Sequence, residues 1–206
     1  MNNLNYLEYI KRIQSIAQAG ITYAENGYDL ERYEELREIS LSMLSELCDE
    51  PIAKLKDLFG AEVGYQTPKV DVRAVIIKED KILMVREKAD NMWSLPGGWA
   101  DVGYSPGEVA VKEVKEEAGL EVVPERILAV LDKKNHPHPP SPFHTYKIFI
   151  ECSVAGGVIQ KGMETTEVNF FPLTDLPGLS EERNTVSQIK KIFELYYDKT
   201  RAPIFD

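Results

Sequence analysis

Cysteine is scarce: Cys48 and Cys152 are the only two in 206 residues, and they fit no metal-ligand spacing. That excludes a disulfide-stapled framework and a thiolate zinc site, and it fits a reduced, cytoplasmic setting. No apolar run is long enough to span a bilayer. Glu8, Lys11 and Arg12 interrupt the N-terminal stretch, unlike the core of a secretory signal. Positive charge is short as well. Lys and Arg number 24 against 34 Asp and Glu, a net charge of −10, which works against non-specific binding to nucleic acid or an anionic membrane. Repeats and low-complexity tracts are lacking. What remains is ordinary globular material, 43% hydrophobic and 28% charged, enough for one large domain or an ordinary one plus a small one.

The first part of the chain carries helical periodicity. Leu4, Leu7, Ile10, Ile13, Ala17 and Ile21 recur every three or four residues, and Asn26-Gly27 offers a left-handed stop. Asp29 can cap a second helix with the stripe Leu30, Tyr33, Leu36, Met43, Leu44 and Leu47. Asp49 or Glu50, ahead of Pro51, starts a short third helix that ends at Gly60. Residues 1–62 therefore read as a small helical domain, or an arm that packs on a partner. Residues 63–206 read as a second domain. There the alternation of Val70, Val72, Ala74 and Ile76 and a turn at Glu79-Asp80 predict a β-hairpin running into Ile82–Val85. Further strands are expected near Ile127–Leu131, Tyr146–Cys152 and Val168–Phe171, with a closing helix from Thr185, where Gln188 completes a capping box. Strands and helices mix without regular alternation, so the fold class is α+β.

One stretch carries chemistry. Ser105, Pro106 and Glu108 spell a capped helix start, and Gly119 a helix stop. Between them Glu113, Glu116 and Glu117 stand at i, i+3 and i+4, which sets three carboxylates on one helical face. Bare, they would repel one another; a hard divalent cation such as magnesium, or manganese in its place, removes the conflict. The Leu95-Pro96-Gly97-Gly98 loop just upstream lets backbone approach the same ion, making a carbonyl of Gly97 or Gly98 a further ligand. Such an ion activates water and neutralises phosphate oxygens, and a nearby carboxylate takes the proton. Three glutamates alone would be a solvated helix face; the loop, cap and stop at fixed offsets argue otherwise.

From Gly98 to Leu120 the sequence resembles the Nudix box, G-x5-E-x7-R-E-U-x-E-E-x-G-U, where U is aliphatic. The resemblance implies an α/β/α sandwich with a mixed sheet, magnesium held by Glu113, Glu116 and Glu117, and hydrolysis of a diphosphate bridge. Two positions depart from the pattern: Tyr104 stands at the first glutamate and Lys112 at the arginine. Lys112 keeps the charge but not the two-pronged fork. The family also draws its general base from a loop after the box, which here implies Glu164 ahead of Glu167, because Glu164 is farther from the strand and freer to swing in; Glu117 is the other catalytic carboxylate. The helical N-terminal region with this variant box resembles the subgroup acting on CDP-choline or ADP-ribose, with CDP-choline preferred.

Substrate contacts are sought among basic residues. Arg73 and Arg86, on the expected hairpin, can each hold a phosphate or make a surface ion pair. Lys133 and His144 bracket a proline-rich segment, Lys133–His144, read as a specificity loop; its histidines have no cysteine or second cluster to make zinc credible. Trp93 and Trp99 can stack on a base, though packing is the commoner fate. A DNA-binding regulator is disfavoured, since eleven acidic residues outnumber six basic ones within residues 1–60. The unpaired apolar stripes of those helices imply a homodimer. The expected partner is thus a small nucleoside diphosphate derivative, with no membrane and no specific DNA.

Overall fold

The computed structural model describes residues 3–48, 51–60 and 64–206. Its contacts divide the chain into two compact units, Met1–Pro68 with Pro140–His144, and Lys69–Pro139 with Thr145–Asp206.

The first unit holds α1 (Asn3–Tyr23), α2 (Gly27–Cys48) and α3 (Ile52–Gly60). Leu7, Ile10, Leu41, Leu44 and Leu55 form its core, joined by Leu47 and by Phe143 from the returning segment. Gly20 lies flat on the Tyr33 ring, where an added Cβ would come within 2.3 Å of Cδ1. The link between α1 and α2 differs from expectation. Neither Asn26 nor Gly27 is left-handed; Asn26 is itself the cap, its Oδ1 accepting from Asp29 N at 2.9 Å, and Asp29 pairs with Arg32 in the first turn. The caps expected at Asp49 or Glu50 lie outside the described residues. Among the described residues no helix is long and apolar enough to cross a membrane.

The second unit is built on two sheets. The first has strand order β5-β1-β7-β6-β9, from β1 (Lys69–Val75), β5 (Gly97–Trp99), β6 (Leu120–Asp132), β7 (Thr145–Gly157) and β9 (Ile204–Phe205). It is mixed: β1 runs parallel to β7 and β6 to β9, while the other pairs are antiparallel. In the second, β3 (Lys81–Glu87) pairs with β2 (Ile77–Lys78), β4 (Trp93–Ser94) and β8 (Thr165–Pro172). The expected hairpin survives only as Ile77-Lys78 against Lys81-Ile82. β1 leaves it for the other sheet, because Val72 and Ala74 are buried on one face and Arg73 and Val75 on the other, which suits a central strand rather than a half-exposed hairpin arm.

Each large helix covers its own core. α4 (Pro106–Ala118) packs Val109, Ala110, Val114 and Ala118 with Val72, Ala74, Leu83, Val85 and Ile150. α5 (Val186–Tyr197) packs Ile189, Ile192 and Phe193 with Val75, Met84, Leu95 and Phe149. That is the layered sandwich expected, with the expected capping boxes, Ser105 with Glu108 and Thr185 with Gln188, both closed.

Candidate active site

The site is assembled where β5 lies between β1 and α4. Gly97 has φ +145°, and a Cβ on it would stand 2.0 Å from Val72 O, so only glycine lets β5 run this close to β1. The approach to that point is pinned from several sides. Ala74 N donates to Pro96 O at 2.8 Å, Arg73 Nη1 to Leu95 O at 3.0 Å, and Leu95 N to Asn184 Oδ1 at 2.8 Å. Against this backbone lie the helix carboxylates. Gly97 N donates to Glu117 Oε2 at 2.9 Å, and the Glu113 carboxyl lies over Gly98, 3.2 Å from where a Cβ would sit. Glu116, on the same face, is exposed.

The electrostatics follow from crowding. Burial pushes the Glu117 carboxyl up to about 8; Arg73 and the Gly97 N–H oppose this, while Glu87 and Glu113 add to it. Glu113 is also raised, first by burial, with Glu116 and Glu164 pushing the same way against Lys112 and Arg73. Oxygen-only donors whose charge is poorly compensated are a set that a hard divalent cation fits. The side chains are not drawn together around one point: among the described residues no three His, Cys, Asp or Glu are gathered as ligands of an ion. The Glu117 carboxylate is instead turned onto the Gly97 amide.

Other expected site residues fall in several places. Arg73 is a correction in its surroundings: it is 3% exposed on the first sheet, not on a hairpin wall. Its Nε and Nη2 donate to Asp71 at 2.7 and 2.9 Å, and its remaining fork reaches Leu95 O. A guanidinium so committed holds the glycine loop in place rather than a phosphate. Burial alone would lower its pKa, yet the Asp71 carboxylate raises it. Arg86 is half-buried on β3 and pairs with Glu167 at 2.6 Å. Glu164 is exposed, but its backbone is tied down, its carbonyl accepting from Lys88 N at 2.9 Å, so it does not sit on a swinging segment. Lys133 pairs with Glu182 at 2.5 Å. His144 belongs with the helical unit. Trp93 packs edge-on against Phe171, centroids 4.7 Å apart, while Trp99 is half exposed.

The two departures from the box touch each other. The Lys112 ammonium lies 5.7 Å from the Tyr104 ring centroid and donates to Asp101 at 2.8 Å, so an aromatic face and an aspartate are its partners. Sequence reasoning missed Asp71, Glu87, Lys147 and Thr165. Asp71 was within reach, since i and i+2 share a strand face and an Asp two residues before Arg73 is its natural partner. Lys147, 1% exposed and 3.1 Å from Asp71 Oδ2, needed the β1–β7 register to be found. Burial lowers its pKa to about 8, with Asp71 opposing.

Comparison with known proteins agrees with this geometry. Residues 67–195 match the NUDIX domain, and residues 5–59 match a domain described as UDP-X-like, N-terminal oligomerisation domain. A Bacillus subtilis protein provisionally named an ADP-ribose pyrophosphatase is 48% identical over 98% of this chain and 97% of its own length. An ADP-ribose pyrophosphatase of Methanocaldococcus jannaschii is 29% identical over 71% of this chain and 86% of its own. Among solved structures, a UDP-X diphosphatase covers 100% of both chains at TM-score 0.65 and 33% identity. An ADP-ribose pyrophosphatase from Streptococcus suis covers 68% of this chain and 100% of its own at TM-score 0.62 and 47% identity. With the capped glutamate helix, the glycine strand beside it and a domain match over most of the chain, this protein belongs to the Nudix hydrolase family.

Proposed function

We propose that this Nudix hydrolase cleaves the diphosphate bridge of a nucleoside diphosphate joined to a second group, with ADP-ribose as its principal substrate and magnesium or manganese as its metal. The observation that carries the reaction type is the trio of carboxylates on α4, two of them held at raised pKa against the Gly97-Gly98 backbone. Like charges this crowded are costly unless a cation joins them. Bound through Glu113, Glu116, Glu117 and a carbonyl of Gly97 or Gly98, a divalent ion supplies charge neutralisation at the diphosphate oxygens and a more acidic water.

The chain's own residues do the rest. Glu164 accepts the proton of the attacking water on its carboxylate, with Glu117 as the alternative acceptor. The water oxygen bonds to one phosphorus, the bridging P–O bond breaks, and the bridging oxygen departs with the other phosphate. ADP-ribose and water thus give AMP and ribose 5-phosphate. Arg86 is the candidate phosphate contact, exchanging Glu167 for substrate; Lys133 would likewise leave Glu182.

What supports ADP-ribose over the CDP-choline preferred from sequence is the relative aligned over nearly the whole chain, whose name carries that activity. CDP-choline stands second, because the relatives described above are named for ADP-ribose or UDP-X. The reading includes a homodimer formed through the N-terminal helices, where Tyr6, Tyr9, Ile16 and Tyr23 make an exposed stripe along α1, and a cytoplasmic site of action, in keeping with the scarcity of cysteine. A substrate panel with magnesium or manganese, products separated by chromatography, tests it: ADP-ribose should be cut fastest, ahead of CDP-choline, nucleotide sugars, dinucleoside polyphosphates and NADH. Glu116→Gln and Glu117→Gln should each lose roughly 100-fold or more in kcat, the scale on which removing one charge-stabilising group acts. Folded variants as fast as the parent, or a rate indifferent to chelation, would refute the metal site.

A further inference from the structure

α4 ends at Ala118, and the carbonyls of its last turn need partners from outside the ladder. Lys115 O accepts from Gly119 N at 3.2 Å, and Ala118 O from Gln160 N at 3.1 Å. Glu117 O accepts from a side chain, Thr165 Oγ1, at 2.9 Å. Thr165 Oγ1 in turn accepts from Gly162 N at 2.7 Å. One hydroxyl therefore closes the 162–165 turn and fastens it to the residue that bears the buried carboxylate. Thr165 is 0% exposed. At Gly162 the turn runs so close to the helix that a Cβ would stand 1.9 Å from Glu116 O.

The far side of the turn is fastened too. Lys88 N donates to Glu164 O at 2.9 Å, and Lys88 Nζ donates to Met163 O. Where β3 pairs with β8 the register shifts, with Arg86 opposite Glu167 and Glu87 opposite Thr165. This irregularity brings the Thr165 hydroxyl to the end of the strand at the helix terminus, an aiming use that bulges commonly serve. Glu164 thus rides on a short bridge between β3 and α4 whose backbone is held at both ends. Its carboxylate is near enough to raise the pKa of Glu113.

We infer that Thr165 is a positioning residue for hydrolysis, its hydroxyl fixing where the Glu164 carboxylate stands relative to the carboxylates of α4. The inference rests on the reading of Glu164 as proton acceptor. Thr165 is fully buried, so it acts on the reaction only through Glu164. Its requirement is chemical: a single oxygen must donate to one backbone group and accept from another, which serine also does and the equally bulky valine does not. Proton transfer to a misplaced acceptor suffers steeply, since a displacement on the order of 1 Å costs about 100-fold.

The test uses the full-length enzyme, magnesium and the substrate it prefers in the panel above. Thr165→Val should lower kcat about 10- to 100-fold with KM within about threefold, and Thr165→Ser should restore most of the loss. Manganese binding, followed by electron paramagnetic resonance, should stay within about threefold of the parent in Thr165→Val, because the helix carboxylates are intact. Thr165→Val added to Glu164→Gln should cost nothing further. Thr165→Val with parental kcat, beside a slow Glu164→Gln, overturns the positioning role alone. Loss of manganese binding in parallel with kcat, or a double variant far slower than Glu164→Gln, also overturns it by making Thr165 a support of the helix instead. Parental kcat in Glu164→Gln overturns the general-base reading and this inference together.

Discussion

His138 has its tautomer set by a single contact. Its Nδ1 lies 2.5 Å from the Glu181 carbonyl, an acceptor, so Nδ1 carries the hydrogen and Nε2 the lone pair. Nε2 is buried and has no hydrogen-bond partner among the described residues. Burial lowers the pKa to about 4, and Lys147, Lys133 and His136 add their repulsion against the raising effect of the Glu181 carbonyl. The unfolded chain takes up a proton near pH 6.5 and the folded one resists until about 4. Between those values the unfolded state binds more protons, so stability is present above pH 6.5 and drains away as pH falls toward 4. Thermal melts across this window should show His138→Asn with a flatter pH profile than the parent, the two differing by several degrees on a scale of about 2–4 °C per kcal/mol. A parallel pair of profiles would mean that another group carries the slope. At this scale sequence is least informative: nothing near His138 announces that Glu181 will cap it, and Arg73 has the same claim to a phosphate as to Asp71 until burial decides.

The β5 strand is three residues long, yet it carries the approach of β1 to α4. Gly97→Ala would drive a methyl into Val72 O and strain a left-handed φ, a cost of about 1–3 kcal/mol. It would also shift the amide that holds Glu117. The expected result is a lower denaturation midpoint together with a kcat loss larger than that of a destabilised variant elsewhere, such as Ser105→Ala, whose lost cap costs about 1 kcal/mol. Equal activity in the two would detach β5 from the chemistry. The contrast between α4 and β5 also explains what the amino-acid order reveals. Caps and stops act over three or four neighbours, so Ser105, Pro106, Glu108 and Gly119 announced both ends of α4 correctly. Strand partners are chosen across the whole fold. β1 alternates like a hairpin arm, but its partners are β5 and β7, and the two-residue strands β4 and β9 are too short for any periodicity. Thr165 stayed hidden for the same reason, because its acceptor lies 48 residues away.

For the molecule as a whole, the prediction concerns assembly. The full chain should scatter light as twice its 23.4 kDa mass, and removal of residues 1–62 should give a monomer that keeps the carboxylate helix. A truncated protein still of dimer mass would move the interface to the other unit. The core of the helical unit is not made by those residues alone, since Phe143 packs with Leu7, Ile10, Leu41, Leu44 and Leu55; the truncated protein should therefore be prepared with Phe143→Ser as well, to limit aggregation through a bare ring. The polypeptide enters that unit, leaves it, and visits it again for five residues. A single protease nick or one splice point would not free the helices as an independent module, and transplanting them onto another enzyme would require grafting two separate stretches of gene.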